Sequence, residues 1–238
     1  MTETIKSETR GTTAFITIDR PDAGNRVTNE MAAALGDAID AAGASGAKLV
    51  VLRGTGEVFC LGRDMPAGAE AGNAVDIRAG NTEPALELFA KFQTCPATII
   101  GAVQGRAVGM GCAMAALCDI TLATEDAVFQ VPEMGRDLPP TLVMWALAGR
   151  IPRKSAAYMV YSRAPVDAAT ALGLGLLSRV VAPTELDAET ETLVELLNGN
   201  SAPALNAVKT YMRSAPDMDA QSSADLASNL LANILASR

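Results

Sequence analysis

The hydrophobic and polar positions along the chain follow strand-like and helical periods that alternate. Residues 5–18 have the pattern of two short strands joined by a tight turn, and residues 48–53 form an apolar run typical of a buried strand. Between them, residues 29–42 carry apolar side chains at helical spacing, and Thr28 is placed to act as the N-cap. The alternation continues with helices predicted at 85–92 and 112–117 and strands predicted at 97–103 and 119–123. The pattern therefore predicts an α/β fold.

Beyond Pro139-Pro140 the pattern becomes mostly helical. It predicts a brief strand at 177–181 and helices at 142–148, 156–161, 167–172, 186–197, 203–212 and 220–236. Leu186, Leu193, Val194 and Leu197 form a stripe that is typical of a helix face packed on the core or on another subunit. We expect two regions, an α/β core over 1–183 and a helical C-terminal region over 184–238.

Composition and charge narrow the class of protein. The chain has 238 residues, of which 49% are hydrophobic and only 4% aromatic, so it fits one large domain with an aliphatic core. Its net charge is −8 and it has no basic block, so we expect no nucleic-acid partner. The first residues lack an apolar signal-peptide region and no window of 18 residues is uniformly apolar, so we expect a cytoplasmic protein without a membrane partner.

The chain contains no histidine, which limits its chemistry more than any other feature of its composition. Ser-His-Asp and Cys-His triads and H-E-x-x-H zinc sites are all excluded. The four cysteines have no C-x-x-C spacing and lie among apolar neighbours, so we interpret them as buried free thiols rather than as metal ligands or disulfides: Cys60, Cys95, Cys112 and Cys118. Any catalysis must use carboxylates, Lys, Tyr, Cys, Ser, Thr or backbone amides.

Glycines concentrate before the helix predicted at 112–117. Gly105-x-x-x-Gly109-x-Gly111 matches neither the Walker A pattern nor the G-x-G-x-x-G dinucleotide pattern. A glycine-flanked helix N-terminus nevertheless offers unpaired N–H groups to an anion, and two such amides on one carbonyl oxygen form an oxyanion hole. Close packing of the helix on a sheet is the other interpretation. The pattern alone favours neither.

Two carboxylates, Glu133 and Asp137, lie four residues apart among apolar side chains in the segment 127–140. Apolar surroundings raise the pKa of a carboxyl group toward neutrality, which suits proton transfer. A loop carboxylate that is simply solvated is the alternative interpretation. A second glycine turn at 56–65 indicates, by itself, only a turn.

The ordered set of residues in these segments is more specific than any one of them. It consists of Arg20-Pro21, Asn25, Phe59, Gly62, Asp64, Gly105, Ala107, Gly109, Gly111, Asp119-Ile120, Ala123, Ala127, Phe129 and Pro132-Glu133. In this order they resemble the enoyl-CoA hydratase/isomerase (crotonase) superfamily, and the resemblance extends over nearly the whole chain.

The resemblance implies a spiral of β-β-α units over 1–183, with 184–238 as a helical region for trimerisation or as a lid. It implies homotrimers or dimers of trimers, an acyl-CoA thioester as substrate, and no permanently bound cofactor, since coenzyme A arrives with the substrate. Carried over by position, the two oxyanion-hole amides fall on Arg63 and Met110. The positions implied to bind CoA or substrate are Ala23, Gly24, Asn25, Arg26, Leu61, Gly62, Asp64, Met65, Pro66, Gly109 and Pro132.

The side chains at the two amide positions depart from the family's small residues. A backbone N–H survives either replacement, but we expect Met110 to narrow the acyl pocket. Arg63, with Arg26, is expected to reach the phosphates of CoA.

One departure bears on the reaction. Family hydratases use two glutamates, and here one is present as Glu133 whereas the other position is Ala113. A single base beside an oxyanion hole suits isomerisation of 3-enoyl-CoA to 2-enoyl-CoA, as in fatty-acid metabolism, and this is the interpretation we prefer. Hydration, decarboxylation or C–C hydrolysis with Asp137 as second carboxylate remain open, as does a non-catalytic acyl-CoA-binding protein. Asp137 also fits the role of a helix N-cap before Pro139-Pro140.

Overall fold

The computed structural model describes residues 4–65 and 72–237, and within these ranges two sheets are surrounded by helices. The larger sheet has the strand order β1-β2-β3-β4-β6-β9 and the smaller one the order β5-β7-β8. The strands are β1 (Ile5–Arg10), β2 (Thr13–Ile18), β3 (Leu49–Gly54), β4 (Thr98–Val103), β5 (Arg106–Val108), β6 (Ile120–Thr124), β7 (Val128–Gln130), β8 (Val166–Asp167) and β9 (Arg179–Val181).

Helices connect the strands and continue to the C-terminal end. The α-helices are α1 (Asn29–Ala44), α2 (Ala74–Ile77), α3 (Glu83–Thr94), α4 (Met110–Leu117), α5 (Thr141–Leu147), α6 (Arg153–Ser162), α7 (Ala168–Gly173), α8 (Leu186–Asn198), α9 (Ala202–Ser214) and α10 (Ala220–Ala236). A π-helical turn, Arg78–Thr82, joins α2 to α3, and a 3₁₀ turn, Glu133–Arg136, follows β7.

The α/β pattern read from the sequence is confirmed in the larger sheet. The first two strands form the expected antiparallel hairpin, and β2, β3, β4, β6 and β9 then run parallel. Thr28 caps α1 as predicted, because its Oγ1 accepts a hydrogen bond of 3.2 Å from the N–H of Met31. Parallel strands are covered on both faces, which explains why the central strands are continuous apolar runs.

The larger sheet separates two apolar layers. On one face, the inward side chains of α1, α3, α4 and α5 form the main core. On the other face, Phe15 and Val51 of the sheet pack with Leu186 and Val194 of α8. The predicted stripe on this helix therefore packs on its own domain.

The smaller sheet was not predicted from the sequence. Its strands β5, β7 and β8 have only two or three residues each, which is too short for an alternation to be recognised. This sheet nevertheless frames the two segments singled out above, since β5 leads into the glycine turn at Gly109 and β7 leads into Glu133. The chain therefore brings the glycine turn and the carboxylate segment to the same end of one small sheet.

Helix α9 contacts the larger sheet through a buried cation. Lys209 of α9 forms an ion pair of 2.7 Å with Asp119 and donates a hydrogen bond of 2.9 Å to the carbonyl oxygen of Ala97. Beyond it, α10 has no buried residue among those the structure describes. None of the helices in the described part of the chain is both long and apolar enough to cross a bilayer.

Candidate active site

The glycine turn before α4 leaves a backbone amide free. Gly109 has φ +53°, a conformation that favours glycine, and its N–H donates to the carbonyl oxygen of Gln130 at 2.9 Å. Met110 is the first helical residue, so its N–H has no intrahelical acceptor, and no described backbone carbonyl accepts from it. A β-carbon on Gly111 would collide with the carbonyl oxygen of Cys60. The start of α4 therefore lies directly against the segment 59–62.

A second free amide comes from that neighbouring segment. Before Gly62 the chain pairs with β5, since the N–H of Val108 donates to Cys60. After Gly62, whose φ is +103°, the chain pairs with Val27 instead, which donates to the Gly62 carbonyl and accepts from the N–H of Asp64. Because N–H groups alternate along an extended segment, the N–H of Arg63 lies on the edge away from Val27, and no described backbone carbonyl accepts from it.

The two glycine turns meet. A β-carbon on Gly62 would lie 3.1 Å from the carbonyl oxygen of Val108 and 3.9 Å from the backbone nitrogen of Met110. The unpaired amides of Arg63 and Met110 thus belong to segments in van der Waals contact. Two amides from such segments can donate to one oxygen, which is what an oxyanion hole requires.

Glu133 places a carboxylate against this turn. A β-carbon on Gly109 would lie only 2.5 Å from Oε1 of Glu133, so the carboxylate occupies the space beside the glycine that precedes Met110. Oε2 is buried and has no hydrogen-bond partner in the described part of the protein. Burial raises the pKa of this carboxyl above its ordinary value, and a backbone N–H and the charge of Arg136 partly offset the effect. The carboxylate is therefore a stronger base than one in water.

Ala113, on the first turn of α4, has no group that could transfer a proton. Ala113 is fully buried, and its neighbour Cys112 is a thiol whose pKa burial and the nearby Glu133 charge raise to about 12. The thiol stays protonated near neutral pH. Glu133 is thus the carboxylate that faces the start of α4.

Asp137 differs from Glu133 in its surroundings. It is exposed and ends the 3₁₀ turn in a left-handed conformation with φ +57°, where its N–H donates to the carbonyl oxygens of Glu133 and Met134. The interpretation as a helix N-cap is wrong, because α5 begins at Thr141 and the capping position is Pro140, whose φ is fixed by its ring. Pro132, which is half-buried, precedes Glu133 at the start of the turn.

The turn at 23–26 is held by Asn25, which is buried and has φ +54°. Its Oδ1 accepts from the N–H of Arg20 at 2.9 Å, and its Nδ2 donates to the carbonyl oxygens of Thr55 and Val58 at 2.8 Å each. This side chain therefore has a structural role, and only its backbone remains a candidate for contact with a ligand. Gly24 accepts from the N–H of Leu61 at 2.9 Å, which joins this turn to the segment before Gly62.

The remaining predicted positions lie along the same two segments. Arg20 donates to Oδ2 of Asp64 at 2.5 Å and to the carbonyl oxygen of Arg26 at 3.0 Å, so Asp64 is already ion-paired. Ala23 and Arg26 lie in the turn and Met65 is half-buried beside Asp64, whereas Pro66 is outside the described residues. These residues form one continuous surface next to the two free amides.

The guanidinium of Arg63 lies elsewhere than expected. Nη1 donates to Oδ1 of Asn81 and Nη2 to Oδ1 of Asn29, each at 2.6 Å. These two asparagines could not be predicted from the sequence, because neither belongs to a motif. Asn29 lies at the start of α1 and Asn81 in the π-helical turn. The expectation that Arg63 reaches a CoA phosphate is therefore not favoured by this geometry.

Two other features do not join this site. The four cysteines are buried and free, as predicted, and in the described residues no group of three or more acidic or thiol side chains could hold a metal ion. A cavity of about 710 Å³ lies at the opposite end of α4, lined among others by Leu117, Trp145 and Arg213. With eight residues at ~1.5 Å each, α4 separates that cavity from the free amides.

Comparisons with known proteins give a consistent result. A family model described as enoyl-CoA hydratase/isomerase matches residues 8–237. A probable enoyl-CoA hydratase of Rhizobium meliloti is 33% identical over 207 residues, which cover 85% of this chain and 78% of that protein. The crystal structure of an enoyl-CoA hydratase from Mycobacterium smegmatis superposes with a TM-score of 0.92 at 29% identity, covering 98% of this chain and 91% of that one.

A putative enoyl-CoA hydratase from Thermobifida fusca, solved in complex with CoA, superposes with a TM-score of 0.86 at 27% identity and covers 98% of this chain and 93% of that one. The structural matches confirm the fold class that the resemblance implied.

Proposed function

The chain belongs to the enoyl-CoA hydratase/isomerase family, and we propose that this acyl-CoA enzyme converts a 3-enoyl-CoA thioester into the 2-enoyl-CoA isomer. The observation that carries the proposal is the position of the Glu133 carboxylate, whose Oε2 is buried, beside the glycine that precedes the free amide of Met110. Ala113, which is buried, occupies the position where hydratases of this family have a second glutamate. One base that removes and returns a proton is sufficient for isomerisation. Hydration additionally requires a group that holds and deprotonates water.

In this proposal the thioester oxygen accepts hydrogen bonds from the N–H groups of Arg63 and Met110. Loss of a proton from C2 leaves negative charge on that oxygen, and the dipole of α4 favours an anion at its N-terminus. Preorganised donors of this kind contribute roughly 10²–10³-fold to the rate. Both donors are backbone groups, so the unusual side chains at these positions do not remove them.

Glu133 performs both proton transfers. Its carboxylate takes the proton from C2, and the electrons of that C–H bond form a dienolate that extends from the thioester oxygen to C4. The protonated carboxyl then returns the proton to C4, and the double bond is left between C2 and C3. No net proton is gained or lost, and no second carboxylate is needed. A carboxyl whose pKa burial raises is suited to accept and release the same proton.

We further propose that the surface formed by the turn at 23–26 and by residues 61–65 holds the CoA portion. The relative from Thermobifida fusca was solved with CoA, and the surface formed by these residues includes Arg63 and contacts the segment before Met110. We also propose that residues 184–238 mediate trimerisation. Leu231 and Leu235 of α10 are more than half exposed in the single chain, as expected for a helix that packs on another copy.

The test is to incubate the protein with 3-enoyl-CoA and, separately, with 2-enoyl-CoA, and to repeat both assays with Glu133→Gln. We expect isomerisation of the first substrate, slow hydration of the second, and a loss of isomerisation of about 10²–10⁴-fold in the variant. The amide of glutamine retains the shape of the side chain but cannot accept the proton.

Three outcomes would overturn the proposal in different ways. Hydration of 2-enoyl-CoA at a rate comparable to isomerisation would make the protein a hydratase, as its relatives are named. Turnover that survives Glu133→Gln but is lost in Asp137→Asn would assign the chemistry to Asp137, as in a decarboxylation or a C–C hydrolysis. Tight binding of both thioesters without turnover would identify a non-catalytic acyl-CoA-binding protein.

A further inference from the structure

The guanidinium of Arg63 is a half-buried cation without an anionic partner in the described part of the chain. Its two hydrogen bonds go to neutral amide oxygens, those of Asn81 and Asn29, and it takes part in none of the ion pairs among residues 4–65 and 72–237. Burial lowers the pKa of this guanidinium, and no carboxylate of the described residues offsets the effect. Transferring a cation out of water is costly unless a counter-charge compensates, so an uncompensated cation beside a candidate active site indicates a ligand anion.

Two features fix where the cation points. Residues 63 and 64 follow one another in an extended segment, so their side chains lie on opposite faces. Asp64 points to Arg20 and so to the turn at 23–26, which is the surface proposed to hold CoA. The side chain of Arg63 consequently points away from that surface, toward the start of α1 and the π-helical turn.

The cation is also held in a fixed orientation. Asn29, one of its two acceptors, is itself fixed, because its Nδ2 donates to the carbonyl oxygen of Gly80 at 2.7 Å. A guanidinium has five N–H donors, and these hydrogen bonds use two of them. The remaining donors are sufficient for a bidentate interaction with a carboxylate, which a lysine at this position would not provide.

We propose that Arg63 is a specificity-determining residue that selects thioesters whose acyl chain carries a carboxylate. The inference rests on the proposed function, because that function places the thioester oxygen on the backbone amide of the same residue that carries the guanidinium. A phosphate of CoA is the other source of an anion. It is disfavoured by the orientation of the side chain, and the experiment distinguishes the two sources.

The experiment compares two 3-enoyl-CoA substrates of equal chain length, one ending in a methyl group and the other in a carboxylate. The measured quantity is the ratio of kcat/KM for the carboxylate substrate to kcat/KM for the methyl substrate. We expect this ratio to exceed about tenfold in the natural protein and to fall by about tenfold or more in Arg63→Met, because the charged bidentate interaction is lost. Arg63→Lys should restore only part of it.

Two further variants separate selection from general damage. Asn81→Ala leaves the cation in place but removes one of the groups that orient it, so the ratio should fall to an intermediate value. Arg78→Met removes an exposed arginine of the same π-helical turn, which is paired with Glu83, and should leave the ratio unchanged. Thermal unfolding of each variant verifies that the ratios are measured on folded protein.

Calorimetric titration with CoA and with the two substrates distinguishes the remaining outcomes. If Arg63→Met weakens CoA and both thioesters equally, the anion is a phosphate of CoA and the inference is overturned. Isomerisation without any preference for the carboxylate overturns it as well, while the proposed function stands. Preferential binding of the carboxylate thioester that is lost in Arg63→Met, with turnover of neither substrate, supports the inference and refutes the proposed function.

Discussion

Gly109 and Glu133 lie so close together that a β-carbon on the glycine would stand 2.5 Å from Oε1 of the carboxylate. This contact links the segment that carries the free amide of Met110 to the segment that carries the proposed base. Glycine is needed at position 109 for two reasons. A side chain there would collide with Glu133, and a φ of +53° disfavours any residue other than glycine.

Gly109→Ala should lower kcat/KM by about 100-fold or more, because the new methyl group displaces the Glu133 carboxylate from its position beside Met110. The matched control is Gly11→Ala. Gly11 has a similar φ of +58° but no atom near the added carbon, so Gly11→Ala should lose ~1 kcal/mol of stability and keep its activity. Gly109→Ala should lose more stability than this control, because Gly109 also has ψ −114°, which disfavours any side chain. Equal activity in the two variants would argue against a catalytic position for Glu133.

The activity should depend on pH through Glu133. The proposed mechanism needs its carboxylate form, so kcat/KM should fall as the pH drops through a pKa that lies above the ordinary glutamate value. Arg136 lowers this pKa by its charge, and Arg136→Gln should therefore move the acid limb of the profile to higher pH. Arg153→Gln, which removes an exposed cation on α6, should leave the limb in place. An acid limb that shifts equally in both variants would exclude Glu133 as its source.

The side chain of Asn25 should contribute to stability and its backbone conformation should contribute separately. Asn25→Gly removes hydrogen bonds to three backbone groups, and we expect a loss of about 3 kcal/mol in the free energy of unfolding. Asn25→Ala should cost ~1 kcal/mol more, since alanine disfavours φ +54° whereas glycine does not. Urea denaturation measures both. A glycine variant less stable than the alanine variant would contradict the left-handed conformation.

Lys209 should anchor the C-terminal helices to the larger sheet. In Lys209→Met the carboxylate of Asp119 loses its ion-pair partner but keeps the hydrogen bond from the N–H of Ile99, and the carbonyl oxygen of Ala97 loses the hydrogen bond from Lys209. We therefore expect a loss of about 2 kcal/mol in the free energy of unfolding. Lys154→Met, an exposed change on α6, should stay within ~0.5 kcal/mol of the natural protein. If the two variants denature at the same urea concentration, the ion pair contributes nothing to the attachment of α9.

The cysteines should be unreactive in the folded protein. Burial raises the pKa of Cys60 and of Cys112 to about 12, so the thiolate is scarce near neutral pH. A thiol reagent at pH 8 should label these residues only at the rate of unfolding. Labelling in urea followed by mass spectrometry provides the comparison. Rapid modification of Cys112 under native conditions would show that the start of α4 is open to solvent.

The long elements could be predicted from the sequence because their periods extend over many residues. The helix at 29–42 and the strand at 48–53 are examples, and both lie within a residue or two of the observed bounds. The smaller sheet could not be predicted, since a strand such as Val128–Gln130 is too short to display a period and its existence depends on partners elsewhere in the chain.

The candidate site was predictable only in part for a related reason. Glu133 and the glycine turn carry ordered motifs, whereas the environment of Arg63 depends on residues 34 and 18 positions away in the chain. Neither Asn29 nor Asn81 belongs to a pattern, and their role arises only once α1 and the π-helical turn are packed together. A side chain expected to reach a phosphate is therefore held by two amides.

The change of partner at Gly62 has a mechanical consequence. Glu133 follows β7 and Met110 follows β5, so the distance between them is set by the pairing of these two strands of the smaller sheet. The segment that carries the Arg63 amide instead pairs with β5 before Gly62 and with Val27 after it. A small displacement of Val27 relative to β5 would change the distance between the amides of Arg63 and Met110. It would leave the distance from Glu133 to Met110 unchanged. In the proposed mechanism, the contact with the thioester oxygen therefore depends on both sets of pairings, whereas the distance from Glu133 to Met110 depends on the smaller sheet alone.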